Sequence, residues 1–304
     1  MPEPSPTTGI TPSLSELVGL RALVLDRGVA RRGWHGQSGQ SASPLRGRGM
    51  EYAESREYAD GDDVRHVDWR LTARTGRTHT KLFQPERERL SLVVADTAAT
   101  LYFGTRQRFK SVQAARAGAV AAWRAVRDGD RIAALRGSHR DPPVTPAVGP
   151  RGALRVLDAL VRWYTAPPDE DAGLSVALDH AQRLLRPGSR LLVLADPASI
   201  ESVPSRRWAA LALHNAVTVL LLTDPLEQHP PARRLPFTVG SDEPSARVEI
   251  DLADEAHRRR WAEHFRAPLL AALERLPALG IEVQELASDA PSDGWLPGRG
   301  VRAA

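Results

Sequence analysis

Cysteine is absent from this chain of 304 residues. Its absence excludes disulfides, thiolate nucleophiles, zinc knuckles and iron–sulfur clusters. Lysine is almost absent too, since only Lys81 and Lys110 stand among 41 basic residues. The rest are arginines, whose planar fork favours fixed ion pairs; a GC-rich genome would give the same bias. Basic and acidic residues nearly balance, at 41 against 37, which argues against the concentrated basic face of a nucleic-acid-binding protein.

Long apolar runs are also missing. The segment AVTVLLL at 216–222 is far too short to span a bilayer, and the opening MPEPSPTTGITPS shows no signal-peptide pattern. We therefore expect a cytoplasmic protein without direct membrane insertion. Residues 1–14 are rich in Pro, Ser and Thr and are expected to be a disordered tail. A helix is predicted from Ser13 or Ser15 to Gly28.

Strands and helices alternate from about residue 90. The segments LSLVVAD, RLLVLAD and AVTVLLLTD are short, continuous and apolar, as strands buried on both faces are. Apolar residues at helical spacing lie between them, as in residues 105–127. The pattern predicts an α/β fold with a doubly wound, mainly parallel sheet over residues 90–287. Residues 15–89 then form an N-terminal segment, and residues 288–304 a C-terminal tail.

Three of the apolar strands end in aspartate, namely Asp96, Asp196 and Asp224. Ligands of open α/β sheets bind at the carboxyl ends of the strands, so Asp96 and Asp196 would meet at one site if their strands are neighbours. The alternative is that each aspartate caps the next helix or begins a turn. For any one of them taken alone, the capping interpretation is favoured.

Asp96 opens the sequence DTAAT between a buried strand and a helix, which resembles the start of the von Willebrand factor A fold. In that fold a D-x-S-x-S motif, a later threonine and a later aspartate hold a divalent cation. The matching positions here are Asp96, Ala98, Thr100, Ala172 and Asp196. Oxygen ligands of this kind suit Mg²⁺.

Two of those five donors are therefore methyl groups. Asp96, Thr100 and Asp196 remain, and Thr97 is one position out of place. Because Mg²⁺ demands near-octahedral ligation, the resemblance implies a degenerate site that holds Mg²⁺ weakly at most. No other cofactor is expected.

The stretch GMEYAESREYADGDDVRHVDWRLTART, residues 49–75, is unusually rich in ionisable groups. Together with the residues that follow, it resembles the signature of the DUF58 family. The segment TDPLEQHPP at 223–231 is similar to a later segment of that family, and the resemblance covers roughly residues 15–287. The signature residues here are Arg56, Tyr58, Gly61, Asp62, Asp63, Arg65, Asp68, Trp69, Ala73, Arg74 and Thr75.

The resemblance implies a protein without an established activity. Members of the family are typically encoded beside MoxR-type AAA+ ATPases and are thought to act with them in chaperone-like maturation or assembly of other proteins. Longer relatives carry N-terminal membrane helices, which we expect this chain to lack. The expected function is a non-enzymatic adaptor or scaffold for such an ATPase and a client protein. A Walker A loop is missing from the sequence, so the partner would supply the ATPase activity.

Two further interpretations compete for the charged stretch. In one, Asp62, Asp63 and Asp68 ligate a divalent metal and activate water, as in a metal-dependent hydrolase. In the other, arginines of the stretch contact nucleic-acid phosphates while Trp69 stacks on a base. The neighbouring arginines make these aspartates poor metal ligands, and the aspartates would repel a phosphate backbone.

We favour a structural interpretation, with a partner surface as its use. Arginines and aspartates of the stretch are expected to form bidentate pairs. Tyr58 and Trp69 are expected to bury against the sheet domain, and Gly61 to permit a tight turn. The charged stretch is thus predicted to be a rigid platform rather than an active site.

Overall fold

The computed structural model describes residues 9–25, 50–85, 89–239 and 246–296. The chain divides into two compact units, one of Met1–Gly28 with Arg89–Ala304 and one of Val29–Glu88. We call the first the sheet unit and the second the motif unit.

The described strands are β1 (Met50–Glu57), β2 (His79–Pro85), β3 (Leu90–Ala95), β4 (Arg131–Arg136), β5 (Val144–Ala147), β6 (Arg190–Ala195), β7 (Ala216–Thr223), β8 (Arg234–Val239), β9 (Ala246–Asp251) and β10 (Glu282–Ala287). The helices are α1 (Leu14–Gly19), α2 (Arg21–Leu25), α3 (Trp69–Thr75), α4 (Lys110–Asp128), α5 (Gly149–Tyr164), α6 (Gly173–Leu184), α7 (Pro197–Glu201), α8 (Ser205–Ala212), α9 (Pro225–Gln228) and α10 (Glu255–Arg275). Within the described ranges, no helix combines the length and apolarity needed to cross a bilayer.

The sheet unit is built on six strands in the order β10-β7-β6-β3-β4-β5. Neighbouring strands run parallel except β4 and β5, which pair antiparallel. Helices cover both faces, so the predicted α/β class with a mainly parallel sheet is confirmed. The arrangement is compatible with a von Willebrand A-like fold.

Side chains of β3 show why the apolar runs are continuous. Val93 and Ala95 join a core cluster with residues of α1, α4 and α5. Leu92 and Val94 point to the opposite face and join a cluster with residues of α6, α8 and α10. Because successive side chains of a strand alternate between faces, a strand covered on both sides is apolar at every position.

The first two helices belong to the sheet unit. Ser13 caps α1, and Leu17 and Val24 are fully buried in the cluster with α4 and α5. The Trp123 indole of α4 donates a hydrogen bond to the Leu17 carbonyl at 3.0 Å. The sequence predicts that residues 15–89 form one N-terminal segment with the charged motif. The apolar face of these helices instead attaches them to the sheet unit.

Chain beyond residue 287 also packs on the sheet unit. The Ser288 amide donates to the Thr223 carbonyl at 2.8 Å, and Trp295 and Leu296 are only 6% and 4% exposed. Residues 288–296 are therefore part of the core rather than of a C-terminal tail. At the other end, the Gly9 carbonyl accepts from the Phe109 amide at 2.8 Å, so residue 9 is anchored as well. Residues 1–8 and 297–304 of the predicted tails lie outside the described residues.

The motif unit is a β-hairpin with an ordered connection. β1 and β2 pair antiparallel, from Met50 opposite Pro85 to Glu57 opposite His79. The connection holds a 3₁₀ turn at Val64–His66 and then α3. A β-bridge between Val67 and Thr80 ties the connection to β2, so the charged stretch forms a small folded element.

Candidate functional site

Strands β3 and β6 are neighbours, so Asp96 and Asp196 lie side by side at the carboxyl edge of the sheet. The Asp196 amide donates to Asp96 Oδ2 at 3.0 Å, and the Ala98 amide donates to Asp96 Oδ1 at 3.1 Å. Asp96 is 2% exposed. Burial raises its pKa to about 6, although hydrogen bonds from the Ser199 hydroxyl and the two amides act to lower it.

Asp196 is paired with a buried lysine. Lys110, at the start of α4, lies with its Nζ 2.9 Å from Asp196 Oδ2 and 2.5 Å from Glu227 Oε1. The three side chains are 1%, 8% and 4% exposed. Burial acts to lower the pKa of the Lys110 ammonium, but the two carboxylates outweigh burial and hold that pKa above its ordinary value.

Asp224, after β7, is fully buried and accepts four hydrogen bonds. Its Oδ1 accepts from the Thr105 hydroxyl at 2.5 Å and from the Leu226 amide at 2.9 Å. Its Oδ2 accepts from the Thr105 amide at 3.0 Å and from the Ser288 hydroxyl at 2.7 Å. The Asp224 amide donates to Glu227 Oε2 at 2.9 Å. These contacts join the aspartates, Lys110, Glu227 and Ser288 into one connected set.

We call this set the carboxyl-edge network. Its members are Asp96, Lys110, Asp196, Asp224, Glu227 and Ser288. A divalent ion needs carboxylate oxygens that are free to coordinate it, whereas both oxygens of Asp96 and both of Asp196 accept hydrogen bonds from protein donors. Thr100, the third predicted ligand, is exposed in a 3₁₀ turn at Ala99–Leu101. The residues present therefore do not fit a Mg²⁺ site.

Asp62 in the motif unit forms the one arginine–aspartate pair that the described part of this unit contains. Its Oδ1 is 2.6 Å from Arg56 Nη2 and its Oδ2 accepts from the Ala59 amide at 3.0 Å. The hydrogen bond from the Ala59 amide has the largest effect on the pKa of Asp62. Together with Arg56 it outweighs desolvation and lowers that pKa. Tyr58 donates its hydroxyl to the Asp62 carbonyl at 3.1 Å, and Gly61 adopts a φ of 103° in this turn, a conformation that favours glycine.

Asp63 and Asp68 are helix caps rather than arginine partners, which corrects the predicted bidentate pairs. Asp63 accepts from the Arg65 amide at 3.0 Å. Asp68 accepts from the Leu71 amide at the start of α3 and from the Ser55 hydroxyl of β1, both at 3.1 Å. Asp62, Asp63 and Asp68 thus each serve a different turn, whereas a hydrolytic metal centre would need the three to converge on one ion.

Trp69 is 69% exposed, and its expected burial against the sheet domain, which concerns a contact between the two units, stays a prediction. Val64 is 64% exposed, and Arg65, Arg70 and Arg74 are exposed as well. Among the described residues, these three arginines form no ion pair. Trp69 is the first residue of α3, immediately after the cap Asp68. We call Val64, Arg65, Trp69, Arg70 and Arg74 the motif surface.

Sequence reasoning found Asp96, Asp196 and Asp224 but missed their partners. Lys110 lies 86 residues from Asp196 and 117 from Glu227 along the chain, so no local pattern joins them. One signal was available, because Lys110 is one of two lysines in an arginine-rich chain.

The sheet topology and the carboxyl-edge network define an α/β protein with a mainly parallel sheet, compatible with a von Willebrand A-like fold, in which the aspartates at the carboxyl edge are bound by other groups of the same chain. The chain belongs to the family described as "Protein of unknown function DUF58", which it matches over residues 54–268. It is similar to an uncharacterized protein of Mycobacterium bovis, at 29% identity over 238 residues, covering 74% of this chain and 75% of that protein. Two uncharacterized proteins of Mycobacterium tuberculosis match to the same extent.

Proposed function

We propose that this protein is a non-enzymatic adaptor or scaffold that works in the cytoplasm with a MoxR-type AAA+ ATPase. Its role is chaperone-like maturation or assembly of client proteins. The observation that carries the proposal is the motif surface, a short stretch of the chain in which the Trp69 indole, the Val64 side chain and three arginines are all exposed. The family resemblance supplies the identity of the partner.

Composition makes the motif surface suitable for binding a protein. Tryptophan and arginine are enriched among the residues that dominate protein–protein binding energies. Arg65, Arg70 and Arg74 have no ion-pair partner within the described residues, so an incoming carboxylate would not first have to displace one. Such a surface fits an acidic patch of a partner that also offers an apolar contact for Trp69.

The carboxyl-edge network gives the proposal its second support. In metal-bearing von Willebrand A domains, a bound ion commonly completes its coordination with an acidic residue of the partner. Here the carboxylates of Asp96, Asp196 and Asp224 are buried and already accept hydrogen bonds from the protein itself. The proposed contact therefore rests on exposed arginines and Trp69 rather than on an ion at the carboxyl edge.

The test is affinity purification of the tagged protein from its native cell, followed by binding to the purified ATPase. We expect a MoxR-type ATPase to copurify, and both Trp69→Ala and the double variant Arg70→Glu/Arg74→Glu to weaken its binding at least tenfold. Matched controls lie on the sheet unit, where Leu213 is 73% exposed and Arg266 is exposed on α10. Leu213→Ala and Arg266→Glu are expected to bind as the wild type does. Failure of any such ATPase to copurify would refute the partner, and undiminished binding by the motif variants would refute the surface.

A further inference from the structure

Lys110 has an unusual position for a charged residue. Its side chain is 1% exposed, and its ammonium lies between the carboxylates of Asp196 and Glu227. Burying an unpaired ammonium is strongly unfavourable. A buried lysine stays charged only where it has close partners of opposite charge and further hydrogen bonds. Two carboxylates at 2.9 and 2.5 Å supply both.

The choice of lysine is informative because the chain otherwise uses arginine. Lys81 is the second of its two lysines, among 41 basic residues in all. An ammonium is a compact point charge with three donors, whereas a guanidinium is a planar fork that suits one carboxylate edge-on. A point charge held between oxygens of separate chain segments is also how a small metal ion is bound.

We infer that the Lys110 ammonium is the chain's own cation at the carboxyl edge, where it takes the electrostatic place of a divalent ion and excludes one. Asp196 comes from the end of β6 and Glu227 from α9, so the ammonium joins two elements as a bridging ion would. Since the cation is covalently part of α4, it cannot be removed by chelation. The carboxyl edge is therefore complete whatever the Mg²⁺ concentration.

Removal of the Lys110 side chain should uncover a metal site at the carboxyl edge. Lys110→Ala removes the ammonium and the three methylene groups beyond Cβ, and leaves the carboxylates of Asp196 and Glu227 without a compensating charge beside Asp96. Water and a divalent ion can then occupy the vacated volume. Lys110→Met removes the charge but fills the space with an apolar chain, so it should not admit an ion.

The experiment is thermal unfolding of the full chain in EDTA and in graded MgCl₂, CaCl₂ and MnCl₂. In EDTA, we expect both Lys110 variants to melt roughly 10 °C below the wild type, because each breaks a buried ion pair. Divalent ions should raise the Tm of Lys110→Ala in a saturable manner and leave that of Lys110→Met unchanged. The wild type and the matched control Lys81→Ala should not respond to the ions. A wild type stabilised by micromolar divalent ion, or a Lys110→Ala variant as stable as the wild type in EDTA or without response to any ion, would overturn the inference.

A second measurement needs no destabilised variant. With lysine labelled by ¹⁵N, the chain carries only two side-chain ammonium groups, and Lys81→Arg assigns them. We expect a slowly exchanging ammonium signal from Lys110 that Mn²⁺ does not broaden. Selective broadening of that signal by micromolar Mn²⁺ would show that an ion and the ammonium share the edge, and would refute exclusion.

Discussion

Replacing Asp96 by asparagine tests how the carboxyl edge tolerates a buried charge. Asp96 is 2% exposed, and burial raises its pKa from 3.8 to about 6. The folded state therefore holds a proton on this carboxyl over a pH range in which the unfolded chain has released it. Asparagine has nearly the same shape but carries no titrating proton.

The sign of the effect follows from proton linkage. Between pH 3.8 and 6 the folded state binds more protons at Asp96 than the unfolded state does, so the free energy of unfolding falls as pH rises through this window. A shift of this size corresponds to about 3 kcal/mol in full, at 1.36 kcal/mol per pKa unit. Between pH 4 and 7, roughly 2–3 kcal/mol of it should be observed. Relative to the wild type, Asp96→Asn should therefore gain stability as pH rises.

Urea unfolding of both proteins at half-unit steps from pH 4 to pH 7 measures this difference. Asparagine would place its side-chain NH₂ group against the backbone N–H of Asp196, which now donates a hydrogen bond to Asp96 Oδ2. A loss of stability that does not depend on pH is therefore expected in addition to the pH-dependent gain. Tyr164→Phe is the control, because it removes a buried hydrogen bond to the Asp96 carbonyl without removing the carboxyl. Its difference from the wild type should not change over this range. A difference for Asp96→Asn that is equally flat would refute the reasoning.

Three further predictions concern the other contacts. Asp224→Ala leaves the buried Ser288 hydroxyl without its acceptor and removes the acceptor of the part-buried Thr105 and Leu226 amides, so it should lower the free energy of unfolding by about 1–3 kcal/mol; a loss below about 1 kcal/mol in denaturant unfolding would contradict this. Asp68→Ala should lower the melting temperature more than Asp63→Ala, because Asp68 joins α3 to β1 whereas Asp63 caps one 3₁₀ turn. If both variants melt at the temperature of the wild type, the aspartates do not stabilise the fold and their role is purely functional. The complex with the ATPase should survive EDTA but weaken as NaCl rises, because exposed charge pairs are screened within about 8 Å at physiological ionic strength. Titration calorimetry with the ATPase's own Mg²⁺–nucleotide requirement controlled for tests this, and loss on chelation would point to a working metal site.

The fold was predictable because its signals are local. Residues 92–95 of β3 and 191–195 of β6 are all apolar, because both faces of each strand are buried at these positions. The start of α4 was less accessible. A helix was predicted from residue 105, but the Thr105 amide and hydroxyl bind Asp224, and the Phe109 amide binds the Gly9 carbonyl. These long-range partners hold residues 105–109 out of the helix, and α4 begins at Lys110.

Site features depended on contacts that no local pattern reveals. No local pattern shows that Asp68 caps α3 at Trp69 or that the Trp69 side chain is 69% exposed. In the same way, charge density around Asp62, Asp63 and Asp68 suggested ion pairs, although aspartate before a helix is also a preferred cap. Composition showed the charges but not which backbone amides would compete for them.

An aspartate that follows a strand can cap the next helix or bind a distant group. At the carboxyl edge each of the three aspartates does both. Asp96, Asp196 and Asp224 each accept, with Oδ1, the amide two residues further on. That bond is the local cap. Each then uses Oδ2 for a distant group: the Asp196 amide, the Lys110 ammonium, and the Thr105 amide with the Ser288 hydroxyl, respectively. At each of these aspartates the local cap occupies Oδ1, so a metal ion could bind only Oδ2. In this chain Oδ2 already accepts a hydrogen bond from a protein group, with which the ion would have to compete.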